Sequence, residues 1–240
     1  MSEGKMKTVK YLMCLFVLLI VSILALPSGV NTYPSHQLLN WKGQSWDLTS
    51  GYANPGNNYW NNTGAWIDGQ DRLHLTTVNN NGKWESTMLS SQDRYRYGTF
   101  TWTVASPIFT FDENSVIGLC TYLDDSHELN IINSRWGETN GDQLWYNIEP
   151  SKIEGNSKGY TVPSSIICTN ITYRIEWKPT YVRFTSMQAD GTVIADYNNT
   201  NVSAIPQEPE NVIMNLWLLA PPSDGKNIEL IISNFTLTND

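Results

Sequence analysis

The residues best suited to chemistry lie in one stretch, HELNIINSRWGE, from His127 to Glu138. Glu128 opens a strand-like run, and alternation along a strand sends positions 128, 130 and 132 to the same face. Carboxylates at such positions would converge on one site, where one can act as nucleophile or base and another as general acid. Here the three positions hold Glu128, Asn130 and Ile132, so a single carboxylate remains. The stretch can therefore cut something, grip something, or do neither.

Other carboxylates do not share that spacing. Asp124 and Asp125 precede it, Glu138 follows a glycine beyond the strand, and Glu85 or Glu149 can arrive only from neighbouring strands. His36, His74 and His127 are isolated, with no Ser or Cys partner that would make one a triad base. No CxxC or Cys/His cluster suggests zinc, no Asp/Glu cluster points to calcium, and no cofactor motif is present.

The elements that must position this stretch are strands. AWID, RLHLTTV, WESTMLS, YGTFTWTVAS, SVIGLCTYL, ELNII, LWYNIEP, YRIEWKP, YVRFTSM, TVIADY, NVIMNLWLL and IELIISNFTLT follow one another, with turn signals such as Asn80-Asn81-Gly82 between several of them. Alternation is clean in TFTWTV and YRIEW, as in strands with one wet and one buried face. The strongest local hairpins are 173–177, 181–187 and 192–197, which read as a structural meander. No sustained helical period occurs after the N-terminus. The expectation is an all-β fold, a two-sheet antiparallel jelly-roll sandwich.

Composition narrows the partners. Ten Trp and twelve Tyr against six Phe suit half-wet surfaces, sugar-binding ones included, as well as β cores. A net charge of −8 argues against nucleic acid, whose binding rests on a cationic footprint. Lys5, Lys7 and Lys10 precede a sixteen-residue apolar run, Tyr11 to Leu26. Residues 1–29 thus read as a helical signal peptide or membrane anchor, followed by a linker at 30–45 and one domain at 46–240. The domain is expected to be secreted or to face outward from the membrane, touching it only through the N-terminal segment. Cys120 and Cys168 are either two buried thiols or a disulfide, and five Asn-x-Ser/Thr sequons fit an exported surface.

From Trp46 to Leu237 the chain resembles glycoside hydrolase family 16, the concanavalin A-like jelly-roll enzymes that cleave β-glucans and galactans. GYANPGNNYW, DRLHL, KWESTMLSSQDRYRYGTFTWTV, YRIEWKPTYVRF and NVIMNLWLL occur in the expected order. Members carry Glu-x-Asp-x-Glu, or Glu-x-Asp-x-x-Glu with a bulge, and one prokaryotic branch continues into Ser-Arg-Trp-Gly. Aligned on Ser134-Arg135-Trp136-Gly137, the resemblance puts the nucleophile at Glu128 and the assisting Asp at Asn130. The acid/base position falls on Ile132, or on Asn133 in the bulged register, so the second carboxylate is missing in both.

A retaining glycosidase needs two carboxylates about 5–5.5 Å apart, and losing proton transfer typically removes about 10²–10⁴-fold of rate. Binding needs only stacking surfaces and hydrogen bonds. The resemblance therefore implies an exported domain that binds polysaccharide of the β-glucan or galactan class, with hydrolysis lost or strongly impaired. Trp136 is the first stacking candidate, Arg135 an orienting group, and Trp145, Asn215 and Trp217 further contacts. Trp60, Trp66, Trp84, Trp102 and Trp177 read as core or strand-surface aromatics. Two alternatives stay open: an active O-glycosyl hydrolase using Glu128 with a relocated acid/base, and a structural envelope protein.

Overall fold

A computed structural model describes residues 37–56, 58–166 and 169–239. The strands run in chain order β1 (Gln37–Trp41), β2 (Gln44–Leu48), β3 (Gly51–Ala53), β4 (Asn58–Trp60), β5 (Ala65–Ile67) and β6 (Leu73–Asn80). Then come β7 (Lys83–Tyr95), β8 (Gly98–Val104), β9 (Ser115–Asp124), β10 (His127–Asn133), β11 (Leu144–Ile148) and β12 (Ser157–Tyr160). The last are β13 (Ile171–Lys178), β14 (Tyr181–Met187), β15 (Val193–Asn199), β16 (Glu210–Leu218) and β17 (Ile228–Thr238). Among the described residues the only helical pieces are two single 3-10 turns, at Ile108–Thr110 and Val202–Ala204.

Two antiparallel sheets stack face to face. The front sheet runs β1-β2-β7-β16-β9-β10-β11-β12. The back sheet runs β5-β6-β17-β8-β13-β14-β15. At one corner the β6–β7 hairpin joins the sheets, and β4 lies parallel to β7. Non-consecutive neighbours such as β16 beside both β7 and β9 give the crossed connectivity of a jelly roll.

Period-two patterning builds the core. In GTFTWTV every second residue is buried, and the same holds through ITYRIEWK. Trp46, Leu89, Leu119, Leu129, Ile131 and Tyr146 of the front sheet meet Leu75, Phe100, Trp102, Ile175, Trp177 and Phe184 of the back sheet in one apolar cluster. The expected meander is present as β13–β14–β15, with Lys178 opposite Tyr181 across a two-residue turn.

One boundary changes. Residues 37–48, expected to lie mostly in a linker, form β1 and β2, because Trp41, Trp46 and Leu48 enter the core and β2 pairs with β7. Five-residue strands broken by a Lys-Gly turn carry too short an alternation to stand out. The expected N-terminal helix at 1–29 lies outside the described residues, as does Cys168 and hence its pairing with Cys120.

Candidate functional site

Strand β10 has two chemically different sides. Leu129 and Ile131 point into the core, whereas Glu128, Asn130 and Ile132 project from the outer face of the front sheet. A bulge between His127 and Glu128 precedes this regular run. Asn133 falls on the inner side, where its Oδ1 accepts a hydrogen bond from the Tyr173 hydroxyl at 3.1 Å. The bulged alternative, with Asn133 on the site face, is therefore not the one adopted.

Strand pairing then places neighbours that sequence spacing alone could not. The Glu149 amide donates to the Glu128 carbonyl at 2.9 Å, which sets the two glutamates directly opposite each other on β10 and the end of β11. Opposed residues of antiparallel strands hold their Cβ atoms about 4.5–5.5 Å apart. The Asn130 side chain lowers the proton affinity of both carboxylates. Its Oδ1 accepts from Asn147 Nδ2 at 2.6 Å, and Asn147 Oδ1 accepts from Ser157 Oγ at 2.6 Å. The Cys120 thiol, opposite Asn130 on β9, lowers the proton affinity of Glu128 from the other flank. A polar row thus runs Ser157, Asn147, Asn130, Cys120 across four strands.

Electrostatics in this row favour a bound proton. Burial, with the charge of Glu149 added, pushes Glu128 up to about 8, against hydrogen bonds from Asn130 and Cys120. Burial also raises Glu149, whose Oε2 accepts from the Ser151 amide at 2.6 Å. Two carboxylates facing one another without a basic partner cannot both ionise cheaply. A third contributor escaped the sequence reading: Glu210 is fully buried on the inner side. Its Oε2 accepts from Thr121 Oγ1 at 2.5 Å while Oε1 has no partner, and burial lifts it to about 7.

The other end of the same face is apolar. Ile132, Met88, Val116, Trp60, Trp136 and Trp217 form a second cluster, separate from the main core. Trp136 reaches it because the chain folds back after β10. Its φ is 54°, a left-handed conformation that costs an ordinary side chain about 1–2 kcal/mol. Hydrogen bonds from its own amide to Ser134 Oγ and from the Gly137 amide to the Glu113 carbonyl hold the turn. The indole meets Trp217 edge-on at 6.2 Å and stays partly exposed.

The remaining candidates divide. Trp145 stands opposite Ile132 on the outer face, half-buried, with its Nε1 donating to the Ser134 carbonyl at 3.2 Å. Trp217 is only 4% exposed, lying beneath Trp136 and the Gly56 backbone, so it floors the face rather than meeting a ligand. Asn215 is folded down, its Oδ1 accepting from the Gly118 amide at 2.9 Å, and it is a brace. Arg135 turns away to the Phe111 carbonyl at 2.8 Å and to Glu113 at 3.7 Å, tying the turn to the loop before β9 instead of orienting site groups. In all three cases the local alternation or motif was readable, but the covering segment was distant in sequence.

Glu85 lies away from Glu128, bonded to Asn61 Nδ2 at 2.6 Å beside β4. Asp124 accepts from His127 Nδ1, and Asp125 from the Tyr122 hydroxyl, at the β9–β10 turn. Among the described residues no three His, Cys, Asp or Glu side chains are placed to hold a metal ion. Asn147 and Ser157 went unnoticed in the sequence, although alternation through LWYNIEP does align Trp145, Asn147 and Glu149.

This sandwich has solved counterparts. A Bacillus licheniformis beta-glucanase superposes with a TM-score of 0.64 at 18% identity, covering 84% of this chain and 94% of that one. A glycoside hydrolase family 16 endo-glucanase from Bacteroides ovatus, solved with an oligosaccharide derivative, gives 0.59 at 14% identity over 80% and 94%. The fold is that of glycoside hydrolase family 16. A prokaryotic beta-1,3-1,4-glucanase (lichenase) derived from a mouse hindgut metagenome shares this family 16 sandwich at 0.63 and 18% identity, over 83% and 95%. No family model and no curated protein sequence matches the chain.

Proposed function

We propose that this chain binds polysaccharide of the β-glucan or galactan class on the outer face of its front sheet, with hydrolysis lost or strongly impaired. The observation that carries this reading is Ile132. It occupies the position where the family resemblance calls for the acid/base carboxylate, and it packs with Met88, Trp60 and Trp136 in an apolar cluster. A sec-butyl side chain transfers no proton to a leaving sugar. The same face keeps what binding needs: partly exposed Trp136 and Trp145 for stacking, and the Asn130–Asn147–Ser157 row for hydroxyl groups. The solved counterparts named as glucanases support the glucan class. The domain acts outside the cell, delivered by residues 1–29, and cell fractionation tests that placement.

Calorimetry with laminarin, lichenan and agarose oligosaccharides tests the binding itself. Saturable binding without release of reducing ends is expected, and absence of binding to all three would sink the reading. The paired glutamates favour a second reading, in which Glu149 serves as the relocated acid and Glu128 as nucleophile. It predicts turnover of an activated aryl glucoside that Glu149→Gln and Glu128→Gln each abolish. Equal rates in wild type and both variants would dismiss it.

A further inference from the structure

The outer face of the back sheet carries an aromatic arrangement that the front site does not use. Trp66 on β5 pairs directly with His74 on β6, and their rings stack at 4.9 Å and 19°. His74 is 7% exposed and pinned at both nitrogens, Nδ1 by Glu229 Oε1 at 2.9 Å and Nε2 by Asp68 Oδ2 at 3.2 Å. Asp68 is itself held by Arg72, through Nε at 2.7 Å and NH2 at 2.6 Å. These bonds keep its carboxyl well below the usual range. One indole face therefore rests on a fixed imidazole. Trp66 is 41% exposed, and among the described residues His74 is the one ring stacked on it.

We propose that Trp66 is a second sugar-stacking platform, on the opposite side of the sandwich from β10, taking a pyranose ring of a neutral polysaccharide. An indole backed by an imidazole that Asp68 and Glu229 hold in place offers one flat apolar face, which matches the C–H face of a sugar. A protein or lipid partner would call for a contiguous apolar patch, whereas the network holding the imidazole beneath this indole is built of charged side chains. The two carboxylates bonded to His74 and the net charge of −8 select against sulfated or acidic glycans. Two platforms on opposite faces let one domain hold two chains, or two stretches of one chain, so retention on polymer exceeds affinity for a short oligosaccharide.

The proposal relies on the front-sheet reading only for the general class of ligand, and the two are read separately. In ¹⁵N-labelled full-chain protein, the indole N–H signals of Trp66 and Trp136 are assigned with Trp66→Phe and Trp136→Phe. Both are followed during titration with laminari-, cello-, agaro- and carrageenan oligosaccharides. The Trp66 signal is expected to shift with a neutral oligosaccharide in wild type and equally in Trp136→Ala protein. Retention on the insoluble polymer should fall at least tenfold in Trp66→Ala and be kept by Trp66→Phe, which preserves a stacking face. A Trp66 signal that no neutral oligosaccharide moves, or that moves only with carrageenan, overturns the proposal. Silence at Trp136 alone overturns the front-sheet reading instead.

Discussion

Replacing Glu128 by Gln isolates the cost of holding an ionisable carboxyl in this buried row. Gln keeps the shape and the hydrogen bonds of a protonated glutamate and can never ionise. In the folded chain Glu128 is raised from its ordinary 4.5 to about 8, chiefly by burial and then by Glu149. The native state thus holds a proton that the unfolded chain has released, and stability falls as pH rises between these values. A shift of that size in a fully enclosed group corresponds to about 4–5 kcal/mol. Glu128 keeps part of its surface in solvent, which lowers the expected figure to about 2 kcal/mol. Wild type and Glu128→Gln should therefore be nearly equal in stability at pH 4.5. The variant should be the more stable by about 2 kcal/mol at pH 8.5, or about 4–8 °C in Tm for a domain of this size. Thermal melts by circular dichroism across that range make the comparison. Glu149 and Glu210 are raised as well, so the variant keeps a residual slope of the same sign. Asp68 and Asp124, lowered by hydrogen bonds from Arg72 and His127, act in the opposite sense and only below about pH 4, outside this window. A difference between the two proteins that does not change with pH, or a variant less stable at pH 8.5, would refute the reasoning.

Further outcomes follow from single contacts. Gly118→Ala puts a Cβ 2.6 Å from Asn215 Oδ1 and should cost about 1–3 kcal/mol, read by urea denaturation. Trp136→Ala removes the partly exposed indole and should weaken glycan binding at least tenfold by calorimetry, and because it uncovers Trp217 it should also lower the melting temperature. Tyr173→Phe strips Asn133 of its hydroxyl partner in the core, where Asn133 Nδ2 already has none, and should cost about 1–3 kcal/mol by chemical denaturation.

The sequence by itself determined the sandwich and the faces of its strands. Alternation is a local property with a period of two, so ELNII announces that Glu128, Asn130 and Ile132 share a side, and LWYNIE does the same for Trp145, Asn147 and Glu149. Only the tertiary structure decided which side meets which. The pairing of β10 with β11 fixes that Glu149 faces Glu128, and a slip of one residue would have turned it to the inner side of the sheet instead. Register depends on turns and on partners far along the chain, and spacing within HELNIINSRWGE carries no trace of it. The same holds for cover: Trp217 is closed off by Gly56 some 160 residues earlier, and a left-handed turn folds Trp136 over Trp217 with part of its indole still in solvent. Residue types proclaimed a site with one carboxylate. The fold supplied a second, from a strand that the motif does not contain.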